Sequence, residues 1–204
     1  MRMTRAESRE RNRRALLEAA RQVVTRDGHR ARLEDIAERA GLTTGAVYSL
    51  FGSKNGLLVA LVTDRLGPHY EEVERAVPAG LDLPAAVDAF ARHYRRVCDD
   101  PEALRHLSLE VGLQDMALRD PDLRARIVAS VRAHEQRLAS LFAGRPYLGA
   151  AVTPRQARRL ATALRALLAG LGQGVVLGLA EQASERYFAE TARALVTPEV
   201  LGPA

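Results

Sequence analysis

Apolar residues in this chain recur at helical spacing, and no strand-like alternation stands out. Leu16, Leu17, Ala20, Val23 and Val24 form one stripe, predicting a helix that starts near residues 6–8 and ends at Asp27-Gly28. Ile36, Ala37 and Ala40 form the apolar face of a shorter helix whose other face carries Glu34, Asp35, Glu38 and Arg39. Gly41 follows as its stop, since glycine takes positive φ with no Cβ clash. The turn is then Gly41-Leu42-Thr43, with the Thr43 hydroxyl expected to cap a second helix buried through Val47 and Leu50. Small Ala37 allows the two helices to cross steeply, Gly41 turns the chain and Val47 fills the gap between them. Residues 33–54 therefore read as a helix-turn-helix, although the same spacings also occur in helical hairpins that touch no nucleic acid.

The remaining pattern continues in helices. LLVALVTDRL extends one as far as Gly67-Pro68, where a kink or break is expected, and HYEEVERAV resumes before Pro78-Ala79-Gly80. Asp100-Pro101, Asp120-Pro121 and Thr153-Pro154 each place a capping side chain before a proline, and Asp82-Leu83-Pro84 is a looser version. These signals predict helices near 83–98, 101–118, 121–143, 154–180 and 184–197. The fold class is all-α with about nine helices, divided into residues 1–54 and 55–204.

Gly170, Gly174 and Gly178 repeat every fourth residue in the helix predicted over 154–180. Each interior glycine costs about 1 kcal/mol relative to alanine, so three on one face point to a close neighbour. That neighbour is either the same helix of a second subunit, with Tyr187 and Phe188 of the last helix completing an intersubunit four-helix bundle, or another helix of this chain. A ligand pocket is expected between the helices of residues 55–204, lined by Phe90, Tyr94, Leu107, Val111, Met116 and Gln173. Tyr94 and Gln173 are its polar candidates, and the other positions read equally as core. An apolar or aromatic small molecule suits such a lining.

Composition changes this picture in one respect. The chain has 204 residues, 47% apolar and 27% charged, which fits a folded globular protein. Its net charge of +5 is unevenly placed. Residues 1–60 hold eleven arginines and Lys54 against seven acids, whereas the remainder is balanced. The excess sits with the helix-turn-helix and points to a polyanion there. Cys98 is the only cysteine, so no intramolecular disulfide forms and a reducing cytoplasm is the expected setting. The charged N-terminus lacks the apolar core of a secretory signal, and the longest apolar run falls short of the roughly 20 residues that span a bilayer.

Site chemistry follows from these placements. Tyr48 can offer its phenol to a phosphate, Phe51 anchors the helix end, and Lys54 beside a helix N-terminus capped by Ser53 makes a phosphate clamp. Arg2 and Arg5 form either a short basic arm along DNA or a frayed terminus. An enzyme reading finds little: His29, His69, His93, His106 and His134 are scattered, with no metal-ligand spacing or phosphate loop. No cofactor or metal is expected. An architectural DNA-binding protein without an effector is the competing class.

With AGLTTGAVYSLFGSK at its centre, the segment 16–58 resembles the DNA-binding domain of the TetR (tetracycline-repressor) family of bacterial regulators. The resemblance implies an all-α homodimer that represses from a palindromic operator on double-stranded DNA until a small molecule releases it. It also implies phosphate contacts by Tyr48 and Lys54 and base reading around Thr43, Thr44, Gly45 and Ser49. Two positions depart from the family pattern. Arg32 replaces a capping threonine and cannot accept the N–H bond. Gly56 replaces an acid and is expected to loosen the first turn of the following helix. No Arg, Asn or Gln lies between Thr43 and Phe51 to make a bidentate purine contact, so DNA shape is expected to carry much of the specificity.

Overall fold

The computed structural model of the chain describes residues 4–202, apart from the side chains of 64–70. In chain order the helices are α1 (Arg5–Asp27), α2 (Leu33–Arg39), α3 (Thr44–Phe51), α4 (Lys54–Ala76), α5 (Leu83–Val97), α6 (Ala103–Arg119), α7 (Pro121–Phe142), α8 (Pro154–Val176), α9 (Glu185–Arg193) and α10 (Pro198–Leu201). A 3-10 turn, Gly28–Arg30, follows α1, and two short strands, β1 (Pro146–Tyr147) and β2 (Ala150–Ala151), pair antiparallel between α7 and α8. The fold is all-α apart from that hairpin. Leu148 and Gly149 close it with φ of 49° and 81°, the double positive φ of a tight two-residue hairpin turn.

Start signals in the sequence act as hydrogen bonds. The Asp82 carboxylate accepts the Ala85 N–H at 2.9 Å, Asp120 accepts that of Leu123 at 3.0 Å, and Thr153 forms a reciprocal capping box with Gln156. Helix α6 begins at Ala103, two residues later than predicted, because Asp100 first accepts the Glu102 N–H in a turn at 2.7 Å. The last predicted helix, 184–197, ends earlier, at Arg193, and a further short helix follows it. After α9 the Thr197 hydroxyl and Pro198 start α10, repeating the same signal. The break predicted at Gly67-Pro68 falls among residues 64–70, outside the described side chains, and α4 is one helix.

Packing divides the chain into two compact units that are discontinuous in sequence, Met1–Leu66 with Arg105–Ser130, and Gly67–Leu104 with Val131–Ala204. The division expected at Lys54 follows function and is a different cut. In the first unit, Leu16, Ala20, Val23 and Val24 of α1 pack with Ile36, Val47, Leu57 and Leu58, and also with Leu109, Leu113, Met116 and Ala117 of α6. Gly112 lets α6 come close: a Cβ there would lie 3.2 Å from the Val24 carbonyl oxygen. The His29 imidazole and the Asp115 carboxylate meet at 2.7 Å beside that contact.

The second unit is built on Val87, Phe90, Phe142, Leu160, Leu164, Leu168 and Phe188. Phe90 meets Phe142 edge-to-face, with ring centroids 5.9 Å apart. Arg145 is buried at 7% exposure and donates to backbone carbonyls rather than to an acid, at 3.0 Å to Pro78, 2.8 Å to Leu81 and to Leu141. It joins the C-terminal end of α7 to the loop after α4, satisfying carbonyls that helix ends leave open. Burial pushes its pKa down. Among the described residues no single helix is long and apolar enough to cross a membrane, and no cluster of His, Cys, Asp and Glu is arranged for a metal.

Candidate nucleic-acid interface

The turn between α2 and α3 is held by backbone bonds. The Gly41 N–H reaches the Glu38 carbonyl and the Leu42 N–H reaches that of Ala37, both at 2.9 Å, with Gly41 at φ 66°. This pair of bonds is the Schellman arrangement, and positive φ at Gly41 makes it possible. Ala37 and Val47 are buried at 2% and 0% exposure, as the crossing requires. Arg32 at the start of α2 makes no capping bond and instead faces Glu34 at 3.7 Å. Thr43 corrects an expectation. It occupies the N-cap position in extended geometry, but its side chain makes no capping hydrogen bond, which leaves the hydroxyl on the exposed side of the turn.

Helix α3 is eight residues long and buries only Val47 fully. Thr43, Gly45, Tyr48 and Ser49 are exposed, Tyr48 by 57%, whereas Thr44 is half-buried. These residues form one continuous polar face, and the helix N-terminus adds free N–H groups to it. The other end is anchored: Phe51 is half-buried and the Arg13 guanidinium lies over its ring, 5.9 Å from the centroid.

The junction of α3 with α4 differs from expectation. Ser53 caps α4 as predicted, its hydroxyl accepting the Gly56 N–H at 2.9 Å. Gly56, expected to loosen this turn, is the residue that permits it, because a Cβ there would lie 2.0 Å from the Phe51 carbonyl oxygen. Lys54 reaches back into the protein, its ammonium donating to the Ala31 carbonyl at 2.5 Å. That bond ties the start of α4 to the segment leading into α2 and leaves other ammonium protons available. The neighbouring Asn55 amide spans Asp120 and Asp122, at 3.0 Å to each. Backbone and amide donors hold Asp120 below its ordinary pKa, and the Asn55 amide with Arg126 does the same for Asp122. Arg5, read as part of an arm, stands in the first turn of α1 behind Thr4, which forms a capping box with Glu7. Arg2 lies outside the described residues.

Comparison with known proteins supplies the context of this geometry. Residues 16–61, the span from the α1 stripe into α4, match the profile of "Bacterial regulatory proteins, tetR family". The likeness to the tetR family thus covers the segment from α1 to the start of α4. It is 29% identical over 106 residues to the fatty acid metabolism regulator protein of Bacillus subtilis (strain 168), a match covering 51% of this chain and only 55% of that protein. The solved structure of a member of the TetR family from Streptomyces coelicolor A3 is 25% identical, with a TM-score of 0.66 over 91% of this chain and 98% of that one. NalD, the secondary repressor of the MexAB-OprM multidrug efflux pump in Pseudomonas aeruginosa, is 22% identical, with a TM-score of 0.64 over 91% and 96%. At that identity the likeness is one of fold.

The six residues expected around a ligand are not brought together in one unit. Phe90, Tyr94 and Gln173 belong to the second unit, whereas Leu107, Val111 and Met116 belong to the first. Met116 is core at 6% exposure, Val111 is 52% exposed, and Phe90 is core at 5%. A surface cleft of about 430 Å³ in the second unit lies elsewhere, against Val77, Ala79, Leu141 and Arg145.

The residues expected at a subunit interface also separate. Gly170 is exposed, with no atom of the chain within 4 Å of a Cβ built on it, and a Cβ on Gly174 would meet only Ala180, at 3.2 Å. Helix α8 ends at Val176, so Gly178 is not on its face; with φ 73° it turns the chain beyond the helix. The close intrachain approach is made by Gly172, where a Cβ would lie 3.0 Å from Tyr94 and 3.2 Å from the Cys98 sulfur. Tyr187 is half exposed, while Phe188 is fully buried in the chain's own core under the Arg95 guanidinium. Sequence reasoning overlooked Gly172, Arg13 and Asn55. Arg13 alone left a signal, three residues before Leu16 on the α1 stripe.

Proposed function

We propose that this protein is a transcriptional repressor that binds a palindromic operator as a homodimer and is released by a small apolar or aromatic molecule. The observation that carries the reading is the exposed Thr43, Gly45, Tyr48 and Ser49 on and just before a helix joined to α2 by the hydrogen-bonded Gly41 turn. A helix presented in this way fits the major groove. Tyr48 contacts the backbone through its phenol, and Lys54 adds positive charge while holding Ala31. The exposed Gly170 position on α8, with Leu177, Leu179 and Tyr187 exposed further along the chain, supports pairing of two subunits there.

The test is titration of the duplex immediately upstream of the protein's own gene. Wild-type protein binds it with strong salt dependence, and Tyr48→Phe weakens binding several-fold whatever the sequence, as loss of about 1 kcal/mol predicts. Binding that ignores salt overturns the reading. For the effector, the name of the Bacillus subtilis relative makes fatty acids the first compounds to assay by thermal shift, because a ligand of the folded state raises the melting temperature. A compound that stabilises the protein also releases the DNA. DNA binding that no compound in a broad panel relieves identifies an architectural protein instead.

A further inference from the structure

Two helices end at one place in the second unit. Helix α4 stops at Ala76 and α7 at Phe142, and the residues around both ends, Glu74, Val77, Ser140, Leu141 and Arg145, line the surface cleft of about 430 Å³. A volume of this order admits a small molecule. The last carbonyls of a helix have no N–H partner within it, so two C-terminal ends make the cleft rich in acceptors.

Two of those carbonyls stay open for identifiable reasons. The Glu74 carbonyl would accept the N–H of residue 78, but Pro78 has none. The Ser140 carbonyl would accept that of Gly144, but the Gly144 N–H turns away to the Val152 carbonyl at 2.8 Å. Among the described residues no other backbone N–H is directed to either carbonyl, and the Glu74 carboxylate has no ion-pair partner.

The cation on the lining is Arg145, and its donors are in use. The guanidinium gives Nε to the Leu141 carbonyl, Nη1 to those of Pro78 and Leu81, and Nη2 to that of Val77 at 3.4 Å. A carboxylate brought to Arg145 would therefore meet the same oxygens. Each helix C-terminus carries about half a negative charge, so with Glu74 the lining holds about two negative charges against one positive. The surplus favours a cation.

We propose that this cleft binds a small protonated amine with an apolar body. The three ammonium donors serve the Glu74 carboxylate and the open carbonyls of Glu74 and Ser140, while the body lies against Val77, Leu141 and Ala143. The inference is independent of the DNA-binding reading, since every group it uses belongs to the second unit.

The experiment is isothermal titration calorimetry of the full chain near neutral pH, with phenethylamine as the probe and phenethyl alcohol and hydrocinnamate as its neutral and anionic counterparts. Wild type binds the amine at least about tenfold more tightly than either counterpart, as charge-assisted hydrogen bonds predict. E74Q keeps the shape of the side chain, removes its charge and weakens amine binding about tenfold, while binding of the alcohol is unchanged. S140F fills the cleft and abolishes amine binding. Glu74 and Ser140 are both exposed, so circular dichroism shows both variants folded with the wild-type melting temperature. Equal binding of amine and alcohol, tighter binding of hydrocinnamate, wild-type affinity for the amine in E74Q or in S140F, or no heat from any of the three probes at millimolar concentration each overturns the inference.

Discussion

At the scale of single residues, the most constrained position beside α3 is Gly56. Alanine would gain about 1 kcal/mol in helix propensity, but its Cβ would stand 2.0 Å from the Phe51 carbonyl oxygen, and a backbone atom cannot swing aside. Gly56→Ala is expected to cost about 1–3 kcal/mol in urea unfolding, as overpacking does, and to weaken DNA binding by displacing α3. Recovery of wild-type stability in that variant would show that the turn relaxes freely.

His134 sets a second expectation at this scale. Burial, the largest influence, lowers its pKa from the ordinary 6.5; Glu135 opposes the shift, while Arg165 and Arg137 add to it. His93 is lowered in the same way, by burial and then Arg96, with Glu72 opposing and Arg75 adding. The folded protein thus holds neutral imidazoles that the unfolded chain protonates more readily. Their contribution is present above pH 6.5 and is lost as pH falls through the lowered values. Stability should therefore drop as pH falls below about 6.5, and His134→Gln should flatten that drop. The depressed pKa values of Asp120 and Asp122 act in the same direction, but below the ordinary carboxylate range.

At the scale of elements, α3 is well placed but has few base-reading side chains. Its exposed hydroxyls at Thr43, Tyr48 and Ser49 offer single hydrogen bonds, and it carries no Arg, Asn or Gln for a bidentate purine contact. Specificity is expected to follow the shape and flexibility of the site. Substituting base pairs in the operator that alter groove width without changing the edges beneath α3 should then reduce affinity about as much as substitutions under the helix. Selection of binding sites from a random pool would refute this by returning strongly fixed purines at the centre of each half-site.

Helix α8 shows how two roles share one element. Gly172 makes the intrachain approach to Tyr94 and Cys98, while Gly170 faces open space. The glycine spacing in the sequence singled out Gly170, Gly174 and Gly178, whereas the close approach within the chain is made by Gly172. The i+4 repeat ignores which face the neighbouring helix occupies, and only α5 in place decides that.

At the scale of the whole molecule, the proposed homodimer makes the open position useful as a probe. A Cβ at Gly170 meets no atom of its own chain within 4 Å, so the folded subunit should tolerate Gly170→Leu, whereas two α8 helices could no longer approach closely. Sedimentation should show a monomer with little change in melting temperature, and affinity for a two-half-site operator should fall steeply because the second half-site no longer adds its share. A dimer of wild-type strength would place the interface elsewhere.

Local rules determined much of this protein from the sequence. Helical periodicity, proline-linked caps and the Gly41 turn act within a few residues, so α1 to α3 and the starts of α5, α7 and α8 were legible without coordinates. The charge excess over residues 1–60 was equally legible, being a sum rather than a geometry. Tertiary structure decided what depends on neighbours distant in the chain. It placed Met116 in the N-terminal core, turned Lys54 toward Ala31, buried Phe188 and made Gly56 a contact rather than a weakness. Each outcome depends on which surface another element covers, and no spacing along a single helix encodes that.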